Sequence, residues 1–367
     1  MKKKIIIIGA GPVGCYTGKL LKNNGFDPLI LEEHAEIGKP VHCTGLVGSN
    51  LFTEKDFKFI TKKSVINTIN GAKIHYDGES FTLKRKNVAY VVNREKFDKE
   101  IGRGLDIFYE NRFIGLEKDR KGYTVITDKG DFYADILIGA DGANSSVRRL
   151  FGVENKVNYF KGLQFRIKCE IPDQNIVDVY LNKPDFFWIV PESHNTARVG
   201  VISENPHKDL QDFMFKYKIK GTVLERFAGV VALGAGLNTV RDNIVLVGGA
   251  ACQVKPLSYG GVYFGMRAAM ILVDSILKGR LADYDVLWKN KLYSEIRIGL
   301  KLKDIYNKLS QQDLKKIFYL LKHNKNFIEE TGNFESHSRL FLELLKRPGT
   351  YSQAGDLLKI IFKSVFN

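Results

Sequence analysis

Short aliphatic runs bounded by glycines divide the chain into predicted strands. The runs at 5–8, 29–31, 136–138 and 244–247 carry no polar residue, which is typical of parallel strands buried on both faces. Alternating apolar and polar positions predict a hairpin over 65–92 and a β-rich region over 157–235. Helical periodicity predicts helices over 94–105 and 262–279, and a helical tail over 285–367.

The first aliphatic run leads directly into Gly9-Ala-Gly11-Pro-Val-Gly14. A glycine at each of these positions permits a tight turn, close approach of the backbone to a pyrophosphate, and close packing of the next helix on the strand. The second run ends at Glu32, where a carboxylate can accept hydrogen bonds from ribose hydroxyls. Together these features predict a site for an adenine dinucleotide; the alternative is an ordinary glycine turn between a strand and a helix.

Composition narrows the class of protein. The chain has 367 residues, enough for two or three domains, and a net charge of +15. The charge favours an anionic partner such as a nucleic acid, an anionic lipid surface or a phosphorylated substrate; a generally lysine-rich composition is the alternative. Four cysteines do not make a disulfide scaffold, and no apolar run approaches ~20 residues. We therefore expect a cytoplasmic protein, either free or peripherally bound to the inner face of the membrane.

Two further motifs follow the later buried strands. The second reads Gly139-Ala-Asp141-Gly142 and continues to Ser-Ser-Val-Arg148, and the third reads Gly248-Gly-Ala-Ala-Cys-Gln-Val-Lys-Pro256 and continues to Gly260-Gly261. With the first motif they resemble the FAD-binding fold of aromatic hydroxylases and geranylgeranyl reductases, over roughly residues 1–285. The resemblance implies an α/β protein with a Rossmann-like FAD-binding domain, an inserted antiparallel β-sheet substrate domain and a C-terminal helical region.

The resemblance also implies boundaries and cofactor contacts. The FAD-binding domain would comprise 1–156, with a β insertion at about 60–92, and 236–284; the substrate domain would span 157–235 and the helical region 285–367. No metal is implied. The residues expected around FAD are Gly9, Gly11, Pro12, Val13, Gly14, Glu32, Glu33, Cys43, Thr44, Gly45, Arg94, Asp141, Gly142, Gly249, Pro256, Gly260, Gly261 and Val262. Gly249 replaces a family Asp that hydrogen-bonds the ribityl chain, which should weaken FAD binding by ~1 kcal/mol or somewhat more.

Two segments indicate the branch of the family. Gly38-Lys-Pro-Val-His42-Cys43-Thr-Gly45 resembles the cysteine segment of archaeal geranylgeranyl reductases. Phe186-Phe-Trp188-Ile-Val-Pro191 resembles their Tyr-x-Trp-x-Phe-Pro motif, and implies that Phe186, Trp188 and Pro191 line a pocket for an isoprenoid chain. Glu192 replaces a usual Lys, which leaves the head-group contact open. Flavin halogenases carry a related segment, and a core strand with aromatic residues is the structural alternative.

The expected chemistry is hydrogenation of isolated double bonds. An isolated alkene accepts hydride poorly, so it needs a reduced flavin and a proton donor in a dry pocket. Cys43 is the candidate donor, with His42 as a relay and an ordered water as the alternative. Cys252 follows the third motif and is a second cysteine that could approach the flavin; a disulfide with Cys43 requires Cα atoms within about 7 Å, and the sequence leaves this pairing open. Cys15 and Cys169 are expected to be packing residues.

The function expected is therefore FAD-dependent reduction of geranylgeranyl chains in archaeal-type ether lipids or their prenyl precursors. The alternatives are an FAD-dependent monooxygenase or halogenase, and a non-enzymatic FAD-binding partner or sensor. The expected partners are a prenylated lipid, an electron donor that is a nicotinamide nucleotide or ferredoxin-like, and an anionic membrane surface, but no nucleic acid. Leu358, Ile361, Phe362 and Val365 share one face of a predicted tail helix, which would lie on the lipid surface or dock on the core.

Overall fold

The computed structural model describes residues 3–120, 122–182 and 186–347, with the side chain of residue 345 left aside. The tail helix predicted around Leu358 lies outside these residues. Among the described residues, no helix is both long enough and apolar enough to cross a bilayer.

The strands belong to three sheets. In chain order they are β1 Ile5–Ile8, β2 Leu29–Leu31, β3 Leu46–Gly48, β4 Val65–Tyr76, β5 Glu79–Val92, β6 Asp106–Phe108, β7 Phe113–Lys118, β8 Tyr123–Thr127, β9 Gly130–Ala134, β10 Ile136–Gly139, β11 Val157–Lys168, β12 Ile176–Leu181, β13 Phe186–Ser193, β14 Thr196–Ile202, β15 Thr222–Gly234, β16 Val240–Arg241 and β17 Ile244–Leu246.

The helices cover the faces of these sheets. They are α1 Pro12–Asn23, α2 Asn50–Thr53, α3 Arg94–Gly102, α4 Ser146–Arg149, α5 Pro206–Lys216, α6 Val262–Leu277, α7 Tyr284–Trp288, α8 Ser294–Lys308, α9 Gln311–His323, α10 Lys325–Thr331 and α11 His337–Leu345. A π-helical segment, Lys289–Tyr293, joins α7 to α8.

The first sheet has the strand order β16-β17-β10-β1-β2-β6, and all its pairs are parallel except β16–β17. Alternation along β1 divides its isoleucines between two cores. Ile5 and Ile7 pack with residues of α1 and α6, whereas Ile6 and Ile8 pack with residues of the small β7-β8-β9 sheet. Because both faces are covered, each strand must be apolar throughout, which is the pattern that the sequence shows.

The strand order brings the three glycine motifs together. The motifs follow β1, β10 and β17, and these three strands are immediate neighbours in the sheet. Parallel strands end at the same edge, so the three turns lie side by side. This edge of an open α/β sheet, at the point where the strand order reverses, is where such folds bind ligands.

The second sheet is larger than the β-rich region predicted over 157–235. Its order is β15-β11-β14-β13-β12-β4-β5-β3, so strands from 46–92 continue the sheet formed by the later strands. The two groups join through one parallel pair, β12–β4, and the remaining pairs are antiparallel. The Rossmann-like domain, the inserted sheet and the C-terminal helices are thus present as predicted. The numerical boundaries of the four-part division remain a proposal.

Two local predictions differ from the structure. Helix α5 was read as part of the β-rich region, although Pro206 suits a first helical turn and Leu210, Phe213 and Met214 have helical spacing. Leu210 and Phe213 pack α5 onto the second sheet. Helix α3 ends at Gly102 rather than near residue 105, because Gly104 has a φ of +74° and turns the chain toward β6.

The C-terminal helices cover part of the second sheet. Phe318 of α9 packs edge-on against Phe81 of β5, with ring centroids 5.2 Å apart. The hydroxyl groups of Tyr76 and Tyr306 donate to the carbonyl oxygens of Gln311 and Asn182, at 2.6 and 2.7 Å. These contacts tie the helical region to the sheet on the face that also carries Trp188.

Candidate cofactor and substrate site

A cavity of about 1360 Å³ opens where the three glycine motifs meet. Its walls come from both large sheets, the cysteine segment and the start of α5. The lining includes Gly9, Gly11, Pro12, Val13, Glu32, Glu33, His42, Cys43, Arg94, Asp141, Gly142, Gly249, Gly261 and Val262 among the residues predicted from sequence. Gly162, Leu163 and residues 204–208 and 228–230 complete one side.

The glycines of the first motif have different physical roles. A Cβ on Gly9 would lie 2.7 Å from the carbonyl oxygen of Ala140, and a Cβ on Gly14 would lie 2.0 Å from the carbonyl oxygen of Gly9. A Cβ on Gly11 would meet no atom within 4 Å. Gly9 and Gly14 are therefore required by packing, whereas Gly11 faces open space. An open glycine at a helix N-terminus is what a pyrophosphate requires.

Glu32 holds the first turn in place. Its Oε2 accepts a hydrogen bond of 2.7 Å from the backbone N–H of Ala10. Its Oε1 accepts from the backbone N–H of His34 at 3.0 Å and lies 2.6 Å from His34 Nδ1. The carboxylate thus connects the glycine turn to the loop after β2, and it remains part of the cavity wall.

In the second motif, Asp141 caps a helix rather than pointing freely into the cavity. Its carboxylate accepts from Ser145 Oγ at 2.6 Å and from the backbone N–H of Val147 at 3.1 Å. Burial raises the pKa of Asp141, and these hydrogen bonds partly offset that rise. Gly142, with a φ of +74° and no atom within 4 Å of a Cβ, is the open position of this turn.

At the position of the family Asp, the third motif packs closely on the second. A Cβ on Gly249 would lie 3.2 Å from the backbone of Gly142, so the second and third turns approach more closely than an Asp would allow without movement. Gln253 supports the turn instead: its Oε1 accepts from the backbone N–H of Gly248 at 2.7 Å, and its Nε2 donates to Tyr284 at 3.0 Å. Nothing in the sequence pattern singles out Gln253 for this role.

Cys43 lies beside a buried cation. The backbone N–H of Gly45 donates to its sulfur at 3.3 Å. Arg94 lies next to the thiol and forms two hydrogen bonds with Asp98, of 3.2 and 2.8 Å. Burial opposes the charge of Arg94, but Asp98 and Cys43 outweigh it, so that the pKa of Arg94 is raised. The Arg94 side chain and the Gly45 N–H are thus polar neighbours of the Cys43 sulfur.

Glu192, noted in the sequence as an unusual residue, belongs to a charged network. It bonds Arg198 Nε at 2.6 Å and Arg166 Nε at 2.7 Å, and Glu192 and Arg198 are both buried. Arg198 also donates to the carbonyl oxygen of Thr44. The network therefore fixes the cysteine segment to the second sheet. This role depends on the cross-strand pairing of Arg166 with Arg198, which the sequence does not show.

The indole ring of Trp188 lies over a glycine of the neighbouring strand, where no side chain is present. Gly200 is its partner on β14, and a Cβ there would lie 2.4 Å from the indole ring. Gln164 is the partner of Gly200 on β11, on the same face. The indole N–H of Trp188 and both amide atoms of Gln164 are buried without a protein partner among the described residues. Unpaired buried polar atoms are costly, which marks this spot as a place for a ligand or water.

Two lysines border the aromatic cluster beside Trp188. Phe186 and Tyr259 have ring centroids 6.3 Å apart, and Lys303 lies 4.6 Å from the centre of the Tyr259 ring and hydrogen-bonds its hydroxyl. Lys255 of the third motif bonds Glu335 at 2.7 Å, and both side chains are buried. This ion pair attaches the segment before α11 to the third motif. Sequence spacing offered no signal for either contact.

Several predicted residues lie outside the cavity lining. Within the described residues these are Gly14, Thr44, Gly45, Pro256, Gly260, Phe186, Trp188 and Pro191. Gly14, Thr44 and Gly45 hold the surrounding backbone, and Pro256 packs against α8 at Gly299. Phe186, Trp188 and Pro191 lie on β13, in the aromatic face next to the cavity.

Cys43 and Cys252 lie in different surroundings. Cys43 and Cys252 are both free thiols. Cys252 packs with Val157, Ala232 and Leu237 in a small core, and burial raises the pKa of its thiol to about 11. Cys252 therefore does not share the setting of Cys43. His42 is exposed, and its Nδ1 lies 2.5 Å from the carbonyl oxygen of Ala228, which leaves Nε2 as the ring atom available for proton relay.

Comparisons with known proteins agree with this geometry. Residues 7–46 match the family model of the NAD(P)-binding Rossmann-like domain. The chain is 33% identical to an uncharacterised protein of Methanocaldococcus jannaschii, covering 93% of this chain and 94% of that one. It is 29% identical to digeranylgeranylglycerophospholipid reductase of Methanococcus aeolicus, over 84% of this chain and 88% of that one.

Among solved structures, a geranylgeranyl bacteriochlorophyll reductase-like protein from Thermoplasma acidophilum superposes with a TM-score of 0.82. The sequence identity is 22%, and the alignment covers 97% of this chain and 99% of that one. At this identity the likeness concerns the fold.

The two kinds of glycine in the first motif can be separated experimentally. Gly11→Ala should leave the thermal unfolding midpoint of the FAD-free protein unchanged but weaken FAD retention roughly tenfold or more, since the new methyl enters the space for the pyrophosphate. Gly14→Ala should lower that midpoint, because its Cβ collides with the Gly9 carbonyl. Gly115→Ala, on β7 and equally open, is the matched control. Normal FAD retention by Gly11→Ala would place the pyrophosphate elsewhere.

Proposed function

The chain belongs to the geranylgeranyl reductase family, and on that premise we propose that it is an FAD-dependent reductase that hydrogenates C=C bonds of geranylgeranyl chains in archaeal-type ether lipids or their prenyl precursors. The observation that carries the proposal is Cys43, held beside buried Arg94 at the wall of the cavity where the three glycine motifs meet. A proton-donating group at that position suits alkene reduction.

The residues present fit FAD. The open positions at Gly11 and Gly142 leave room for a pyrophosphate at two adjacent turns, and the N-terminus of α6 follows at Val262. Such helix ends favour anions through unpaired N–H groups. We propose that these turns, with Glu32, hold the dinucleotide, and that Arg94 and the cysteine segment lie beside the flavin ring. When bound and reduced, FAD supplies the hydride for one alkene carbon.

The protein's own part is to supply the proton for the other carbon. The Cys43 S–H bond breaks as the new C–H bond forms, leaving a thiolate that the Gly45 N–H and the Arg94 cation stabilise. Asp98 keeps Arg94 in position. Solvent then returns a proton to the thiolate, with His42 at the cavity wall as the proposed relay.

We propose the aromatic face of β13 as the place of the prenyl chain. Phe186 and Trp188 offer apolar surface, and Gly200 leaves the indole room to lie across the sheet. Glu192 is engaged by two arginines, so it is not the head-group contact. A nicotinamide nucleotide or a ferredoxin-like protein is the proposed electron donor, and the basic tail is proposed to assist peripheral association with anionic membrane.

The reaction type can be tested directly. The FAD-loaded protein, reduced under nitrogen and mixed with a geranylgeranylated glycerol ether lipid, should increase the lipid mass in steps of two hydrogen atoms, measured by mass spectrometry. The same protein in air without a reductant should give no product. A product that forms only with oxygen and carries an oxygen or halogen atom would instead favour the monooxygenase or halogenase alternative.

The thiol can be tested by substitution. Cys43→Ser should lower alkene reduction roughly 100-fold or more, because a hydroxyl is a much weaker acid than a thiol and general acid catalysis has about this magnitude. The FAD content should not change. Cys169→Ser, at a half-buried cysteine outside the cavity lining, is the matched control. Turnover at the wild-type rate by Cys43→Ala would exclude the thiol and leave an ordered water as donor.

Substitutions can distinguish a role of Trp188 in binding the prenyl chain from a purely structural role. Trp188→Ala should reduce lipid turnover roughly tenfold or more while FAD stays bound, and Trp188→Phe should retain most activity because the ring surface remains. Val190→Ala removes a buried side chain two residues further along the same strand and controls for lost packing. If Val190→Ala and Trp188→Ala lose activity in proportion to stability, Trp188 is a core residue only.

A further inference from the structure

The surface beside the cavity mouth has a composition that the reaction does not explain. Phe215, at the end of α5, is 88% exposed, the largest exposed fraction among the large apolar side chains of the described residues. Leu224, near the start of β15, is 45% exposed. Between and beyond them lie Lys216, Lys218, Lys220 and Arg226, all exposed. We call these six residues the α5–β15 surface.

The fold leaves this surface uncovered for a definite reason. Helix α5 packs on β11 and β14, while β15 lies beyond β11 as the last strand of its sheet. Arg226 is paired with Phe165, whose ring faces α5, so Arg226 points to the same side. A register shift in β15 then turns Val223 toward the core and leaves Leu224 outside.

The charge of this surface has one sign. In the described part of the chain, no carboxylate lies within ion-pair distance of Lys216, Lys218, Lys220 or Arg226. The one acidic residue between 213 and 230 is Glu225, which bonds Arg166 on the opposite face of the sheet, at 3.2 Å. Asp212, an exposed carboxylate one helical turn before Lys216 on α5, lies just outside this segment, so the surface keeps a net positive charge.

The α5–β15 surface is continuous with the cavity. Lys208, at the start of α5, and Ala228 and Val230, further along β15, line the cavity. Leu224 precedes Ala228 by four residues, which corresponds to about 13 Å along a strand. A partner bound to the α5–β15 surface would therefore also face the cavity mouth.

From these observations we propose that the α5–β15 surface docks the protein on an anionic lipid bilayer, with Phe215 and Leu224 entering the interface and the four cations meeting the head groups. Exposed apolar side chains among unpaired cations are the composition that binds anionic lipid surfaces. An acidic protein partner would use the cations but has no need of a fully exposed phenylalanine. That the bilayer delivers a prenyl chain to the cavity rests on the proposed function, whereas the docking itself does not.

The test is co-sedimentation of the full-length, FAD-loaded protein with vesicles of phosphatidylcholine, with and without phosphatidylglycerol. Two variants address the surface: K216Q/K218Q/K220Q removes charge, and F215S/L224S removes the apolar anchors. Two matched controls address other surfaces: K86Q/K129Q/K315Q removes the same charge elsewhere, and I114S/V286S replaces two side chains that are each 59% exposed.

K216Q/K218Q/K220Q should bind the anionic vesicles roughly 100-fold more weakly than the wild type, since each of the three cations contributes about 1 kcal/mol near the surface and about 1.4 kcal/mol is a factor of ten. F215S/L224S should bind them roughly tenfold more weakly or worse, because two apolar side chains no longer enter the interface. Both controls should bind as the wild type does, and phosphatidylcholine alone should bind none of the proteins strongly. If F215S/L224S binds normally while the lysine variant does not, the binding is purely electrostatic and the proposed entry of Phe215 and Leu224 into the interface is wrong. Loss of binding only on deletion of residues 353–367 would assign the docking to the tail.

Reduction of a detergent-dispersed geranylgeranyl lipid separates the two proposals. All four variants should turn over this substrate at the wild-type rate, since none of the changed residues lines the cavity. Absence of turnover by the wild type would overturn the proposed function but leave the vesicle result valid. Equal vesicle binding by the wild type and both surface variants would overturn the docking surface but leave the reductase proposal intact.

Discussion

The parallel pairing of β1, β10 and β17 is the constraint on which the rest of the structure depends. These strands are adjacent and end at one edge, so three turns from distant parts of the chain meet in one place. The approach of the turns is limited by backbone contact, since a Cβ on Gly9 would collide with Ala140 and a Cβ on Gly249 would press on Gly142. Gly9 and Gly249 are thus required by the packing of the turns on one another, whereas Gly11 and Gly142 face open space.

The second sheet adds a wall to the site at this edge. One part of the sheet carries the cysteine segment, which Arg198 and Glu192 attach, and another part carries the C-terminal helices. Strand β13, with Phe186 and Trp188, runs between the two parts. The buried pair of Lys255 and Glu335 then joins the helical region to the third motif. The three glycine turns, the cysteine segment and the aromatic face of β13 are therefore held by one continuous set of contacts.

Departures from the family pattern have local explanations in this chain. At Gly249, which replaces the family Asp, a Cβ would press on the backbone of Gly142, and the Gln253 side chain accepts a hydrogen bond from the third turn at Gly248. With Glu192 in place of Lys, the position changes from a cation near the pocket to the centre of a buried network of charges. A buried carboxylate without partners would be strongly destabilising, and here two arginines accompany it. In both cases the departure is local and the neighbouring residues satisfy it.

The local sequence pattern by itself determined the strands and turns with a clear run of aliphatic residues or a clear glycine spacing. The aliphatic runs and the glycine spacing predicted β1, β10, β17 and the three turns, because strands buried on both faces exclude polar residues wherever they occur. Helix α5 was missed although Leu210 and Phe213 have helical spacing, since the surrounding residues alternate as strands do. The expectation that Cys43 lies beside a flavin came only from resemblance, and its contact with Arg94 was not visible in the spacing.

Tertiary structure decided the contacts between residues that are distant in the sequence. The pairing of Gln164, Gly200 and Trp188 across three strands, the burial of Glu192 with two arginines, and the separate setting of Cys252 all follow from strand order and register. The exposure of Phe215 likewise follows from the place of α5 over β11 and β14. Periodicity reports the face on which a side chain lies, but the partner on that face is set by long-range packing, which no local pattern encodes.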